Sequence, residues 1–197
     1  MGTDPVPGAF SEIWNHVAAT TPAAGSHGMD HTVRVARLCE VIGREEHADM
    51  RVLIPAAILH DIARPAEEER GVRHEAEGAR MAEDYLRSAG YHGPSVPAIA
   101  HAIQAHRYRS TVPPETLEAK ILSDADKLDA LGAVGIARTF LRAGEHGGGI
   151  QDAVDHARDK LEKLEGLMYT ETGRRLARNR HAFMAGFFAE LERERNP

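Results

Sequence analysis

The stretch from Val52 to Leu59 constrains this chain more than any other. Read as a helix, Val52-Leu53-Ile54-Pro55-Ala56-Ala57-Ile58-Leu59 is apolar around most of its circumference. A helix without a polar face belongs at the centre of a domain. The run ends abruptly in His60-Asp61. Two metal-competent side chains at the end of a buried helix need partners, because burying polar groups unpaired is costly. A divalent cation satisfies both at once. A histidine meeting the C-terminal helix dipole, with an aspartate capping the next turn, is the plainer alternative.

The rest of the chain follows the helical period, and no alternating strand pattern interrupts it. Helices are predicted over Phe10 to Thr20, Met29 to His47, Met50 to Ala63 with Pro65 closing it, and His74 to Ser88 with Gly90 as its stop. Others run from Pro97 to about His106, from near Pro114 to about Leu131, and from Gly132 to Ala143. Gly144 to Gly149 reads as a flexible loop. Ile150 to Arg195 reads as two helices divided near Tyr169 to Gly173. The expected architecture is all-α, and 197 residues suit one domain.

Composition narrows the partners. The formal net charge is -6, so no strong positive field holds a nucleic-acid backbone by counterion release. Cys39 is the single cysteine. It excludes an intrachain disulfide, and its place in an apolar helical stripe marks it as a buried, inert thiol. Met1 to Phe10 carries no basic region followed by an apolar stretch, and no run of roughly 18 apolar residues is present. A cytoplasmic protein with no membrane partner is the expectation.

Twelve histidines are many for this length, and two further segments give some of them a context. In Ser26-His27-Gly28-Met29-Asp30-His31, His31 opens the apolar face shared by Val35, Leu38 and Ile42, so its imidazole points inward. His27 falls at or before the helix start, as a supporting group or an exposed loop residue. In Ser123-Asp124-Ala125-Asp126-Lys127-Leu128-Asp129, three acids are interleaved with a core face. Carboxylates so close repel unless a cation or protonation relieves them; a solvated charged face is the alternative. Two histidines and two aspartates without cysteine form a nitrogen and oxygen donor set. It suits Mn²⁺, Mg²⁺, Fe²⁺, Co²⁺ or Zn²⁺ better than a structural thiolate site does. Helical periodicity leaves the choice between Asp124 and Asp126 open.

Arg34, Arg64, Arg107 and Lys127 are candidate phosphate clamps, since guanidinium groups bind phosphate bidentately and an ammonium serves as a point charge. For Arg34 and Arg107, ordinary surface ion pairs are the alternative. Glu67-Glu68-Glu69 reads as a solvated loop or helix start. Phe183, Phe187, Phe188 and Leu191 form a helix-spaced stripe, read as core or dimer surface. His16, His47, His92, His146, His156 and His181 show no partner pattern.

The three segments together resemble the HD-domain phosphohydrolases. The resemblance is carried by His31-Thr32-Val33-Arg34-Val35-Ala36, by Ile58-Leu59-His60-Asp61-Ile62 and by Asp124-Ala125-Asp126-Lys127-Leu128-Asp129-Ala130-Leu131-Gly132-Ala133. It implies an all-helical fold with a metal-binding core at about residues 26–140, followed by C-terminal helices at about 150–195. It also implies hydrolysis of a phosphate ester or anhydride. By the resemblance, His31, His60, Asp61 and Asp126 hold the metal, Asp126 being preferred for the Lys and apolar residue that follow it. Asp61, Lys127 and His106 are the expected catalytic groups. His74, His101 and His106 are candidates for a second metal or for phosphate. The expected substrate is a small anionic molecule, a nucleotide first among them. An HD-type diiron oxygenase and a non-catalytic nucleotide-binding regulatory module remain the rival readings, and a homodimer rests on fold analogy alone.

Overall fold

The structure, a computed structural model, describes residues 8–21, 28–108 and 110–196, with Glu162 described by its backbone alone. His27 lies outside the described residues. The elements are α1 (Ser11–Ala18), α2 (Met29–Glu45), α3 (Met50–Leu59), α4 (Arg64–Arg70), α5 (His74–Ser88), α6 (Ser95–Ala105), α7 (Leu117–Asp129), α8 (Gly132–Glu145), α9 (Ile150–Asp159) and α10 (Glu171–Arg195). Short 3₁₀ turns occupy Gly8–Phe10, Leu161–Lys163 and Glu165–Leu167, and no strand occurs among the described residues. The fold is all-α. The chain divides into two compact units, the first ending at Asp126 and the second beginning at Lys127. No helix among the described residues is long and apolar enough to cross a membrane.

In the first unit α3 is the central helix, and α1, α2 and α6 pack on it. Every residue from Val52 to Leu59 is buried, as its unbroken apolar surface requires. Asp49 starts the helix, its carboxylate accepting the Arg51 backbone N–H at 2.9 Å. α2 turns Val35, Ala36, Cys39 and Ile42 inward, with His31 and Thr32 at the head of the same buried face. Gly43 lets α2 and α3 approach: a Cβ there would come within 2.6 Å of Leu53 Cδ2. α5 packs on α6, and α4 on α5.

Several helix ends differ from the sequence expectation. α3 stops at Leu59, not Ala63. Ile62 N–H donates to Leu59 O at 3.1 Å and Arg64 N–H to Asp61 O at 3.0 Å. These i→i+3 bonds tighten the chain directly after the apolar run. Pro65 closes nothing; it sits in the first turn of α4, where a missing N–H is no loss. Pro97 likewise lies inside the first turn of α6, which begins at Ser95. α7 begins at Leu117 instead of near Pro114.

In the second unit α8 packs on α9 and α10. Asp129, 1 % exposed, binds Arg138 Nη1 at 2.6 Å, and Arg180 Nη1 donates to Leu128 O at 2.5 Å. Thr170 caps α10 by accepting the Gly173 N–H at 3.0 Å. α10 thus begins where the sequence signals a break, but α9 ends at Asp159 instead of near Tyr169, and two 3₁₀ turns fill the interval. Of the aromatic stripe, Phe188 is buried against Phe140 and Phe187, whereas Phe183 is exposed.

Candidate metal centre

His60 and Asp61 lie in the turn that follows α3. His60 is fully buried. Its Nδ1 lies 2.8 Å from Ala57 O. A carbonyl accepts only from a protonated nitrogen, so Nε2 carries the lone pair. From α2, His31 brings its Nε2 to 3.2 Å from His60 Nε2. Asp61 Oδ2 stands 3.6 Å from each of these nitrogens. From α7, Asp126 Oδ1 stands 3.5 Å from His31 Nε2. Four donor atoms from three segments therefore converge within the first unit.

Their spacing fits a cation. Nitrogen and oxygen donors at about 2.0–2.2 Å from an ion stand about 3.0–3.5 Å from one another, close to what these side chains show. His31, His60 and Asp126 form one group able to hold an ion, and His60, Asp61 and His106 a second, overlapping one. Asp126 keeps 25 % of its side chain open to solvent, against 6 % for Asp61 and 1 % or less for the two histidines. Burial acts to raise the Asp126 carboxyl, but the adjoining His106, His31 and His60 outweigh it and hold it at about 2.

His74 and His106 flank the other side of Asp61. His106 Nδ1 lies 2.6 Å from Ile103 O, which again leaves the lone pair on Nε2, 3.9 Å from Asp61 Oδ1. Burial, then the neighbouring His60, pushes His106 down to about 4, so it is neutral at neutral pH. Ser123 Oγ donates to the backbone carbonyl of His106 at 2.8 Å and ties the end of α6 to α7. His74 opens α5 with no solvent exposure. Its Nε2 is 3.5 Å from Asp61 Oδ1 and has no hydrogen-bond partner among the described residues. A buried acceptor in that condition is a ligand-seeking group. His74 is held below its ordinary value by burial first and by Arg64 second.

The arginines separate. Arg64 Nε donates to Asp61 Oδ1 at 3.0 Å and its Nη1 to Glu67 Oε2 at 2.8 Å. Arg107 Nη1 lies 3.1 Å from both Glu67 Oε1 and Glu75 Oε2. Arg34 pairs with Asp30 at 2.7 Å, one turn away on α2. Lys127 directly follows Asp126; it is buried, with its ammonium 4.8 Å from the centre of the Tyr169 ring, a cation–π contact. His101 is half-buried and accepts the Glu115 N–H at 3.2 Å, a structural role unlike that of His74 and His106. Cys39 is buried, and burial followed by the charges of Asp126 and Asp124 pushes its thiol up.

The acidic run lies in the short helix α4 with Glu68 and Glu69 exposed, in keeping with a helix start, and Glu67 alone departs from a solvated face. Glu67 lies on α4 with its side chain only 24 % exposed and faces Arg64, His74 and Arg107. Its i, i+3 spacing from Arg64 was a usable signal; nothing in the sequence links it to His74. Glu75 and Arg73 also escaped notice. Glu75 is buried and bound by Arg73 Nη2 at 2.6 Å and by Arg107. Burial acts to raise it, but its own backbone N–H, Arg73 and Arg107 bring it down to about 2 from an ordinary 4.5. A depressed carboxylate stabilises the fold above its unfolded value and stops doing so as pH falls through its folded value. Glu75→Gln is therefore expected to destabilise the protein at pH 7. The gap between variant and parent should close between about pH 4.5 and 2. Urea unfolding of both proteins across that range measures it; a gap that stays constant with pH would remove Glu75 from the acid response.

The comparisons with known proteins give the family. The HD-domain family model matches residues 28–131. The chain belongs to the HD-domain family. The matched HD region contains every residue of the centre described above. YpgQ of Bacillus subtilis is 35 % identical over 182 residues, covering 88 % of this chain and 87 % of YpgQ. The crystal structure of YpgQ in complex with ADP superposes with a TM-score of 0.77 at 32 % identity, over 93 % of this chain and 96 % of that one. A predicted HD superfamily hydrolase from an uncultured Thermotogales bacterium gives 0.72 at 33 % identity, over 93 % and 91 %. Ribonuclease Y of Thermoanaerobacter pseudethanolicus is 33 % identical over 106 residues, 54 % of this chain but 19 % of the ribonuclease. HD domains bind divalent metal ions.

Proposed function

We propose that this HD domain hydrolyses a phosphate ester or anhydride bond in a nucleotide. The observation that carries the reading is the convergence of His31, His60, Asp61 and Asp126 beside an arginine, Arg64, already oriented by Asp61. The ADP bound to YpgQ, a relative at 32 % identity over nearly the whole chain, supports a nucleotide as the ligand class. A divalent ion held by those four residues would acidify water and neutralise charge on the phosphoryl oxygens.

The chain's own residues supply the remainder. Asp61 Oδ1 and the Nε2 lone pairs of His74 and His106 surround one small volume, 3.5 and 3.9 Å apart. They orient the attacking water and accept its proton at Nε2. Arg64 and Arg107 keep 21 % and 38 % of their side chains open, so their free N–H groups can take up phosphoryl oxygens with charge-assisted bonds. Asp126 is the most open of the four donors, so a substrate phosphate can approach the centre on its side.

The test is a panel of nucleoside mono-, di- and triphosphates and cyclic nucleotides with each of Mg²⁺, Mn²⁺, Fe²⁺, Co²⁺ and Zn²⁺. Phosphate, pyrophosphate and nucleotide products are identified separately. Product formation that a chelator abolishes and added metal restores is the expected outcome. Tight nucleotide binding with no bond broken under any metal would identify a regulatory module instead and refute the hydrolytic reading.

A further inference from the structure

His60 and His106 have their Nδ1 atoms fixed by backbone carbonyls. His74 is different, because its Nδ1 faces a carboxylate: Glu67 Oε2 lies 2.9 Å away. An anionic oxygen that close to a bare ring nitrogen would set lone pair against lone pair, so the proton belongs on Nδ1. The contact lacks hydrogen-bond alignment, and the pull of the carboxylate charge on the N–H dipole of the ring holds it more than a linear hydrogen bond does. Glu67 is itself fixed, with Arg64 Nη1 at 2.8 Å from Oε2 and Arg107 Nη1 at 3.1 Å from Oε1. The next carboxylate facing Nδ1, Glu75 Oε2, is at 3.7 Å and occupied by Arg107.

On the other edge of the ring, Nε2 stands 3.5 Å from Asp61 Oδ1. Two carboxylates thus compete for one imidazole proton, and the nearer one lies on the side away from the centre. We propose that Glu67 is a positioning residue: it holds the His74 proton on Nδ1 and so keeps the Nε2 lone pair directed at the Asp61 side of the metal centre. Without Glu67 the proton would pass to Nε2, toward Asp61, and His74 would present a donor where the centre needs an acceptor. The arginines that anchor Glu67 are the same ones assigned to phosphate, so the tautomer and the phosphate site share one carboxylate. The consequence for turnover rests on the hydrolytic reading above; the tautomer does not.

The experiment is long-range ¹⁵N–¹H correlation on uniformly labelled, metal-free protein at pH 7, with His74→Gln used to assign the ring. The parent should show His74 protonated at Nδ1. Glu67→Ala should move the proton to Nε2, and Glu67→Gln should keep it on Nδ1, since an amide oxygen beside Arg64 still accepts. Circular dichroism confirms that each variant is folded, and Glu67→Gln decides the matter should Glu67→Ala fail to fold: a proton on Nε2 there, or no preference, overturns the proposal. An unchanged tautomer in folded Glu67→Ala also overturns it. With metal and an accepted nucleotide, Glu67→Ala should lower kcat about 10- to 100-fold with KM little changed, and Glu67→Gln should recover most of it. A moved proton with unchanged kcat would overturn the role in turnover. A parent inactive on every phosphate substrate would sink the hydrolytic reading, while the spectra would still decide the tautomer.

Discussion

Asp61→Ala is expected to empty the metal centre and abolish hydrolysis while the helices stay folded. Asp61 is the residue on which both sides of the site converge. Its Oδ2 is 3.6 Å from the Nε2 atoms of His31 and His60, and its Oδ1 is 3.0 Å from Arg64 Nε and 3.5 Å from His74 Nε2. Losing a group that merely supports a metal-binding side chain costs about 10- to 100-fold in affinity or activity. Removing a charged donor outright should exceed the upper end of that range. The effect on folding is smaller. Breaking a buried ion pair from one side costs about 3–5 kcal/mol when the surviving charge is stranded. Arg64 is not stranded, because Glu67 holds it at 2.8 Å and 21 % of its side chain meets solvent. The loss should therefore fall below that range. Asp61→Asn, which keeps the volume and removes only the charge, should reproduce the metal loss. Metal content by mass spectrometry of elements, circular dichroism and turnover on one sample check the prediction. Full metal occupancy with normal turnover would place Asp61 outside the centre.

How much of this was legible beforehand follows from which interactions are local. The apolar run before His60 announces its own burial, and a polar pair at its end announces a partner. The inward face of His31 was readable because Val35 and Ile42 repeat at helical spacing behind it. The end of α3 was not. Pro65 looks like a stop when it follows an apolar helix, yet the stop is made earlier by i→i+3 bonds that no composition rule signals. The turn matters because it carries both His60 and Asp61.

The supporting carboxylates were illegible for a different reason. Glu67 sits in a run of three acids, and such runs are usually solvated. It acquires its role from Arg107, forty positions away, and from His74 across the turn between α4 and α5. Proximity of that kind arises only when helices pack. Among the histidines between the doublet and the last aspartate, His74 and His106 come to Asp61 and His101 turns to the Glu115 backbone. His74 and His106 lie at helix ends, whereas His101 lies inside α6.

The three acids of α7 offer the sharpest separation of metal binding from stability. Asp126→Asn should weaken metal binding by more than about 100-fold, beyond what loss of a supporting partner costs. An amide oxygen keeps the shape but not the charge that holds a hard cation. Some stability of the metal-free fold should go with that charge, because His106, His31 and His60 hold the Asp126 carboxyl at about 2. Asp129→Asn should cost stability only. Asp129 is 1 % exposed and bound to Arg138 at 2.6 Å, so neutralising it removes the counter-charge that this half-buried guanidinium faces. About 1–3 kcal/mol of stability should be lost, less than for a full deletion because the amide oxygen still accepts, with metal affinity unchanged. Asp124 is fully buried, and its charge is felt at Cys39; Asp124→Asn should likewise leave the metal in place. Titration of each metal-free variant by calorimetry, paired with urea unfolding of the same samples, gives both axes. Loss of metal affinity in Asp124→Asn or Asp129→Asn with Asp126→Asn unaffected would transfer the α7 ligand to that other aspartate and undo the assignment of Asp126.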